Sequence, residues 1–194
     1  MRDDADRTET IADRFRRRAA RFTETVAAVP DDRWSAPSPC EEWDARAVVA
    51  HVTGTQAMFA GFVGRELEPG PSVDEDPLGA WVAARDQTQA ALDDPARADV
   101  DFDGFAGRST YAEATDRFLS FDLVVHRWDL ARSVGLDEKI PADDLAALQT
   151  ATEAMSEQMG EAMRGPGAFG PELTPPADAD AQTCVLAFVG RRAW

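Results

Sequence analysis

Apolar residues recur every three or four positions along most of this chain, which is the periodicity of amphipathic helices. In the first such stretch they are Ile11, Phe15, Ala19, Phe22, Val26 and Val29. The predicted helices span about residues 8–29, 45–63, 78–92, 111–133 and 142–163, with a short last helix at about 179–190. No segment alternates between apolar and polar residues as a half-buried strand does. The pattern therefore predicts an all-α fold, a bundle of helices.

Turn-forming residues separate these segments. Asp44 precedes the second helix as a predicted N-cap, and Gly135 stands where the fourth helix is expected to end. Pro37 and Pro39 exclude a regular helix from the loop before Asp44. The acidic, glycine-bearing segment 93–109 is predicted to be a loop that lies over the bundle.

The composition is that of an ordinary folded protein. Of 194 residues, 44% are hydrophobic and 29% are charged, which excludes an intrinsically disordered chain. No internal repeat or low-complexity tract interrupts the pattern. We therefore expect one domain over residues 1–194, with a C-terminal extension of about 165–194 packed on it.

The charge is strongly acidic, with 20 basic against 36 acidic residues and a net charge of −16. Such a surface repels phosphate backbones and anionic lipids, so neither nucleic acid nor a membrane is expected as a partner. Lys139 is the only lysine. A lysine-poor acidic surface suits a high-salt cytosol, although a GC-rich genome would also favour arginine. The run Arg16, Arg17 and Arg18 is predicted to be solvated and paired with acidic groups.

The sequence carries no sign of export. Its first residues are acidic and lack the apolar core of a signal peptide, and no apolar run is long enough to span a bilayer, so a cytoplasmic location is expected. Cys40 and Cys184 belong to no metal-type pair and are expected to be reduced thiols. Cys40 precedes the second helix, where a reactive thiol and an inert buried one are both compatible with the sequence.

Two histidines and one aspartate are the strongest candidates for chemistry. Asp122 and His126 are four residues apart, so both project from one face of the fourth helix. That face is apolar, and such groups are costly to bury unless they are paired or bind a metal. His51, in the apolar second helix, is a natural third group from across the bundle. Two imidazoles and a carboxylate suit Zn²⁺, Ni²⁺, Mn²⁺ or Fe²⁺.

The same residues also admit an interpretation without metal. Asp122 and His126 would then form a buried ion pair, and His51 would hydrogen-bond to a backbone carbonyl. Because an aspartate and a histidine four residues apart occur by chance in many helices, the residues alone leave both interpretations open.

Other residues near these positions have two interpretations each. Asp129 follows His126 by three residues. It is either a hydrogen-bond acceptor that orients the imidazole or a simple surface residue. Trp43, Trp81 and Trp128 would line a pocket or, as is more usual for aromatic residues in bundles, fill the core.

Three blocks of the sequence resemble a known family. They are PCEEWDARAVVAHVTG, DLVVHRWDLARSVG and FGPELTPPADADAQTCVLAFVGRRAW. The chain resembles the DinB/YfiT-like superfamily of metalloenzymes. Within it, the chain is most similar to the branch related to the N-terminal domain of mycothiol-dependent maleylpyruvate isomerase, and its last block is similar to proteins of actinobacterial type described as metal-binding.

The resemblance implies a DinB-like four-helix bundle with up-down-down-up topology, an additional C-terminal helix and an irregular tail. It also implies a metal ion held by His51, Asp122 and His126. The family more often has histidine or glutamate where this chain has Asp122. The isomerase's separate C-terminal domain, which contributes to substrate binding, is not recognised in this sequence, so the specific isomerisation is not implied.

The resemblance further implies a function. We expect a divalent-metal protein, most simply with zinc, that uses a low-molecular-weight thiol and a small-molecule substrate in an isomerase or S-transferase reaction. The alternative is a non-catalytic protein whose ion stabilises the bundle. A homodimer through the outer helices is compatible with either.

Overall fold

The computed structural model describes residues 9–104, 107–159, 164 and 169–194. Its helices are α1 Ile11–Ala27, α2 Ala45–Phe62, α3 Pro77–Leu92, α4 Pro95–Ala98, α5 Tyr111–Ala114, α6 Ser120–Val134, α7 Ala142–Met159 and α8 Ala181–Phe188. A π-helical stretch, Thr115–Leu119, joins α5 to α6, so residues 111–134 form one continuous helix. The predicted helices are confirmed within a few residues; the last four of the fifth, 160–163, lie outside the described residues.

Local sequence signals explain where these helices begin and end. The Thr10 side chain accepts a hydrogen bond from the Asp13 backbone in a capping box at the start of α1. Asp44 accepts one from the backbone of Ala47 at 2.8 Å, which confirms the predicted N-cap of α2. Gly135 ends α6 in the left-handed conformation, with φ +78°.

Contacts along the helices fix their directions. Helix α1 meets the helix 111–134 through Arg14–Asp116, and the turn after α1 meets its end through Arg33–Ser133. Helix α1 meets α3 through Ala12–Gln89 and Thr23–Trp81. Helix α2 meets the helix 111–134 through His51–Asp122 and Phe59–Phe118. Helix α1 is therefore parallel to the helix 111–134, whereas α2 and α3 run the opposite way. This is the expected up-down-down-up bundle, in which the connection 63–76 lets α2 and α3 run in parallel.

Helix α6 is buried on two sides. Its residues Leu123 and Leu130 belong to the core between α1, α2 and α3, whereas Val124 and Trp128 pack with α7 and α8 in a second apolar cluster. The C-terminal helix therefore lies against the side of α6 that faces away from the other bundle helices. This burial on both sides explains why most residues of α6 are buried, including the polar Ser120 and Asp129.

Two expectations about local structure are wrong. The segment 93–109 is not a plain loop: it contains α4 and, with Thr110, a hairpin of β1 Asp101–Gly104 and β2 Gly107–Thr110. The strands are only four residues long and Phe102 is their one large apolar residue, so the sequence has no alternating run long enough to identify a strand. Phe102 stacks on Phe62 with ring centroids 5.5 Å apart, which attaches the hairpin to α2.

The second wrong expectation concerns the arginine run. Arg16 and Arg17 are partly exposed and pair with acidic residues, as predicted. Arg18 is instead buried, with its Nε 2.8 Å from Asp144 at the start of α7. A charge run read along one helix does not reveal that another helix covers one of its members.

Within the part of the chain that the structure describes, no helix combines the length and apolar character needed to cross a membrane.

Candidate metal centre

The three residues predicted to bind metal lie together between α2 and α6. His51 Nε2 is 2.9 Å from Asp122 Oδ2, and His126 Nε2 is 3.3 Å from Asp122 Oδ1. The two imidazole rings are 4.6 Å apart at their centroids. One donor atom from each of the three side chains lies within 4.8 Å of the others. Asp122 thus contacts both histidines, and His51 hydrogen-bonds to this carboxylate rather than to a backbone carbonyl.

The helices explain this convergence. Asp122 and His126 are one turn apart on α6, and His51 reaches them from the antiparallel α2. The side chain of His126 is 5% exposed, whereas those of His51 and Asp122 are 31% and 25% exposed. The site is therefore anchored on its inner side by His126 and open to solvent on its outer side.

A tight loop before α2 covers part of the site. Its residue Trp43 lies 4.8 Å from the His51 ring and 5.8 Å from the His126 ring, measured between centroids. The Trp43 backbone N–H donates to the Cys40 carbonyl at 3.1 Å, and Glu42 between them has φ +66°. Of the three tryptophans considered, Trp43 thus lies at the site. Trp81 and Trp128 are fully buried in the two apolar clusters.

Asp129 binds the ring nitrogen of His126 that does not face Asp122. Its side chain is fully buried, and His126 Nδ1 donates to its Oδ2 at 2.9 Å. Of the two interpretations of Asp129, the structure thus excludes a surface role. A histidine whose Nδ1 is held in this way directs Nε2 towards the site.

Two further groups lie at the site, of which Arg191 was missed in the sequence and Cys40 was noted only as a thiol before the second helix. Arg191, which follows α8, contacts Asp129 with Nε at 3.3 Å from Oδ1 and Nη2 at 3.1 Å from Oδ2. Cys40 Sγ donates to Asp129 Oδ2 at 3.3 Å and accepts from Arg191 Nη2 at 3.1 Å. Both cysteines are free thiols, as expected. The sequence signal for Arg191 is slight: an arginine directly after a glycine that ends a helix.

The electrostatics of the site favour positive charge. Burial alone would raise the pKa of Asp122, but His126 and the hydrogen bonds from both histidines outweigh it and hold that pKa well below its usual range. Burial alone would lower the pKa of His126, but Asp122 and Asp129 raise it well above the ordinary value. The pKa of Asp129 is lowered because His126 and Arg191 outweigh its burial. The carboxylates are therefore ionised beside a protonated His126, and a metal ion that binds Nε2 must displace the proton there.

The donor set fits a divalent transition-metal ion. Bonds of about 2.0–2.1 Å to a tetrahedral ion place its donor atoms about 3.3 Å apart. The two histidines lie 2.9 Å from Oδ2 and 3.3 Å from Oδ1 of Asp122, so each faces a different oxygen at close to that spacing. Imidazole nitrogen with carboxylate oxygen is also the donor chemistry of such ions. The residues present therefore match a metal site with three protein ligands.

A second set of donor groups, Cys40, His126 and Asp129, also lies within 4.8 Å. There the Arg191 guanidinium already contacts both the thiol and the carboxylate. A positive charge at this position repels a second cation. The first set, His51 with Asp122 and His126, is consequently the better metal candidate.

Comparisons with known proteins find relatives of this chain by sequence. The chain is 26% identical over 175 residues to the uncharacterized proteins MT0763 and Rv0738 of Mycobacterium tuberculosis, strains CDC 1551 and H37Rv. Each alignment covers 88% of this chain and 91% of the relative. No solved structure matches the chain significantly. The profile of the family described as mycothiol maleylpyruvate isomerase N-terminal domain matches residues 15–131, which include His51, Asp122, His126 and Asp129 but not Arg191. The chain therefore belongs to the mycothiol maleylpyruvate isomerase N-terminal domain family.

Proposed function

We propose that this protein binds one divalent metal ion through His51, Asp122 and His126 and uses it with a low-molecular-weight thiol in a reaction on a small molecule. The observation that carries the proposal is the convergence of two imidazoles and a carboxylate on one point with a solvent-accessible side. Zinc suits this donor set best, and Ni²⁺, Mn²⁺ or Fe²⁺ are compatible with it.

The exposure of the ligands supports a catalytic rather than a purely structural ion. Structural zinc sites have four protein ligands, whereas catalytic sites keep a position open. Here three protein groups converge, and His51 and Asp122 form the exposed side. A bound ion would act as a Lewis acid and lower the pKa of a thiol or water that reaches it. Trp43 beside His51 excludes water from one flank of the site.

The thiol is proposed from the family, whose description names mycothiol. The reaction would be of the isomerase or S-transferase type. The thiol would lose its proton, its sulfur would bond to an electrophilic carbon of the substrate, and the displaced electron pair would go to the opened π bond or leave with a departing group. The cytoplasm is the compartment where such thiols stay reduced. In this proposal residues 1–194 act as one domain, since Arg191 and α6 meet at the site.

Metal analysis of the wild type and three variants tests the metal. We expect one zinc ion per wild-type chain after loading and dialysis. H51A, D122N and H126A should each weaken zinc binding more than the roughly 10–100-fold that loss of an outer hydrogen-bond partner costs. D86N, which changes a carboxylate that is 62% exposed on α3, is the matched control and should bind zinc normally. A wild type that binds no metal, with a melting temperature indifferent to chelator, contradicts the proposal and favours the ion-pair interpretation.

A spectroscopic titration tests the thiol. Co²⁺ replaces zinc in many sites, and a thiolate that binds it adds an intense near-ultraviolet charge-transfer band. We expect this band when mycothiol is added to the Co²⁺-loaded wild type, and its absence with the S-methylated thiol. An unchanged spectrum, together with a large loss of stability on chelation, would favour the non-catalytic alternative in which the ion stabilises the bundle.

A further inference from the structure

We propose that Arg191 is a positioning residue of the metal centre, which acts through Asp129 to hold His126 in its metal-binding orientation. The inference rests on the proposed function and extends it to the last part of the chain. It assigns a role to a residue outside the 15–131 segment that matches the family.

A continuous series of contacts leads from Arg191 to the site. Two guanidinium nitrogens bind the two oxygens of Asp129, at 3.3 and 3.1 Å. Asp129 in turn accepts from His126 Nδ1 at 2.9 Å. The other ring nitrogen of His126, Nε2, faces Asp122 at 3.3 Å. Among the described contacts, Arg191 hydrogen-bonds to Asp129 and Cys40 rather than to the three proposed metal ligands. It reaches His126 through Asp129, and its charge also acts directly on Asp122.

The bidentate contact determines the orientation of Asp129. A guanidinium that binds both oxygens fixes the plane of a carboxylate, which a single hydrogen bond does not. The side chain of Asp129 is fully buried, and that of Arg191 is 11% exposed. In such surroundings the carboxylate cannot turn to solvent. Oδ2 of Asp129 stays within hydrogen-bonding distance of the Nδ1–H of His126, and this hydrogen bond prevents the imidazole from rotating.

Arg191 also balances charge. Asp122 and Asp129 place two carboxylates around His126. A buried carboxylate without a cation is costly. The guanidinium supplies that cation for Asp129, and its Nη2 contacts the same Oδ2 that accepts from His126. A neutral residue at position 191 would leave Asp129 dependent on its hydrogen bonds with His126 and Cys40.

The local sequence directs Arg191 to this position. Helix α8 ends with Gly190 in the left-handed conformation, φ +82°. The N–H of Gly190 donates to Ala187 at 3.0 Å, and that of Arg191 donates to Leu186 at 2.7 Å. These are the two hydrogen bonds of a Schellman motif, which turns the chain back over the helix end. The side chain of Arg191 consequently points towards α6 rather than outward.

Zinc affinity, measured by competition with a chromophoric chelator, tests the inference. We expect R191M to raise the zinc Kd by about 10–100-fold, the range for lost outer hydrogen-bond partners. R191K keeps the charge but loses the bidentate contact and should fall between R191M and the wild type. R192M removes the neighbouring arginine, which lies 5.0 Å from the Trp194 ring, and is the matched control with an unchanged Kd.

A double variant separates positioning from a general loss of folding. If Arg191 acts through Asp129, D129N and D129N/R191M should have zinc Kd values within about two-fold to three-fold of each other, since residues in one network are not additive. If the effects of D129N and R191M on the zinc Kd multiply in the double variant, the two residues act independently and the inference is overturned. Melting curves of the metal-free proteins identify any variant that is unfolded, and only folded variants enter the comparison.

The NMR signal of a ring proton of His126 reports the orientation of its imidazole and does not depend on stability alone. The chain has two histidines, so the ring N–H region of its NMR spectrum is simple. In the zinc-loaded wild type, and in R192M, the Nδ1–H of His126 should give a low-field signal in slow exchange with water. In R191M that signal should broaden or disappear. A wild type without zinc binding defeats the proposed function itself. Normal zinc binding and an intact signal in R191M defeat only the role of Arg191.

Discussion

Asp144 is a charged residue that helix packing buries almost completely, with 2% of its side chain exposed. Its Oδ1 accepts from Arg18 Nε at 2.8 Å and from Arg17 Nη1 at 3.0 Å, and Arg21 contacts its other oxygen. Arg18 is itself 5% exposed. The carboxylate thus joins α7 to α1 and neutralises a guanidinium that solvent cannot reach.

Removing this carboxylate should destabilise the protein strongly. D144A leaves Arg18 buried without its partner, and breaking a buried pair costs about 3–5 kcal/mol. The neighbouring Asp143 is 48% exposed and contacts Arg17 and Arg21. D143A is therefore the matched control, with a cost of about 0–1 kcal/mol. Urea unfolding followed by circular dichroism gives both free energies, and equal losses for the two variants would contradict this account of Asp144.

The sequence predicts the three residues that converge at the candidate site better than the residues that support them. His51, Asp122 and His126 stand out because polar residues are rare on apolar helical faces, and a four-residue spacing fixes two of them on one face. Arg191 has no such signal. It is one arginine among many, and it reaches Asp129 only because folding brings together residues 62 positions apart. The same reason hides the burial of Arg18.

At the scale of elements, the ends of helices do much of the positioning. Gly190 is the sharpest case, since its left-handed backbone directs Arg191. A Cβ at this position would lie 3.1 Å from both the Cα of Gly170 and the carbonyl oxygen of Pro171. Gly135 at the end of α6 has a similar backbone, with φ +78°, but a Cβ there would meet nothing within 4 Å. Comparing the two glycines therefore separates the free-energy cost of a left-handed backbone with a Cβ from the cost of the steric contact.

Replacing each glycine by alanine tests this difference. G135A should cost about 1–2 kcal/mol, the penalty of a left-handed residue with a Cβ. G190A should cost more, because the backbone of 170–171 must also move. It should also raise the zinc Kd, since Arg191 is displaced, whereas G135A leaves the Kd unchanged. The measurements are urea unfolding and chelator competition; identical behaviour of the two variants would show that Gly190 does not position Arg191.

Element prediction succeeds where a segment carries its own signal. The predicted helices have the 3.6-residue periodicity, and Asp44 and Gly135 mark ends that the structure confirms. The hairpin 101–110 has no such signal, because its four-residue strands are held by pairing with each other and by Phe102 stacking on Phe62. Contacts of that kind depend on the whole fold and are invisible in a window of sequence.

At the scale of the whole molecule, the net charge of −16 affects stability through the sum of all charge–charge interactions. Like charges repel across the folded surface, and unfolding lets them move apart. Ion pairs such as Arg16–Asp93 and Arg132–Glu138 act in the opposite sense, but exposed pairs contribute little each. Repulsion between the many excess carboxylates should therefore dominate the response to salt.

Added salt should accordingly stabilise this protein. Between about 0.01 M and 1 M ionic strength the Debye length falls from roughly 30 Å to 3 Å, which removes repulsion between distant carboxylates but little of the attraction within a close pair. We expect the free energy of unfolding, measured with urea in KCl, to rise steadily over this range. Choline chloride should act like KCl, because screening depends on ionic strength rather than on the cation. A protein that is equally stable in dilute buffer and in molar salt would contradict both this expectation and the hypothesis of a salt-adapted surface, leaving the excess of arginine over lysine to genome composition.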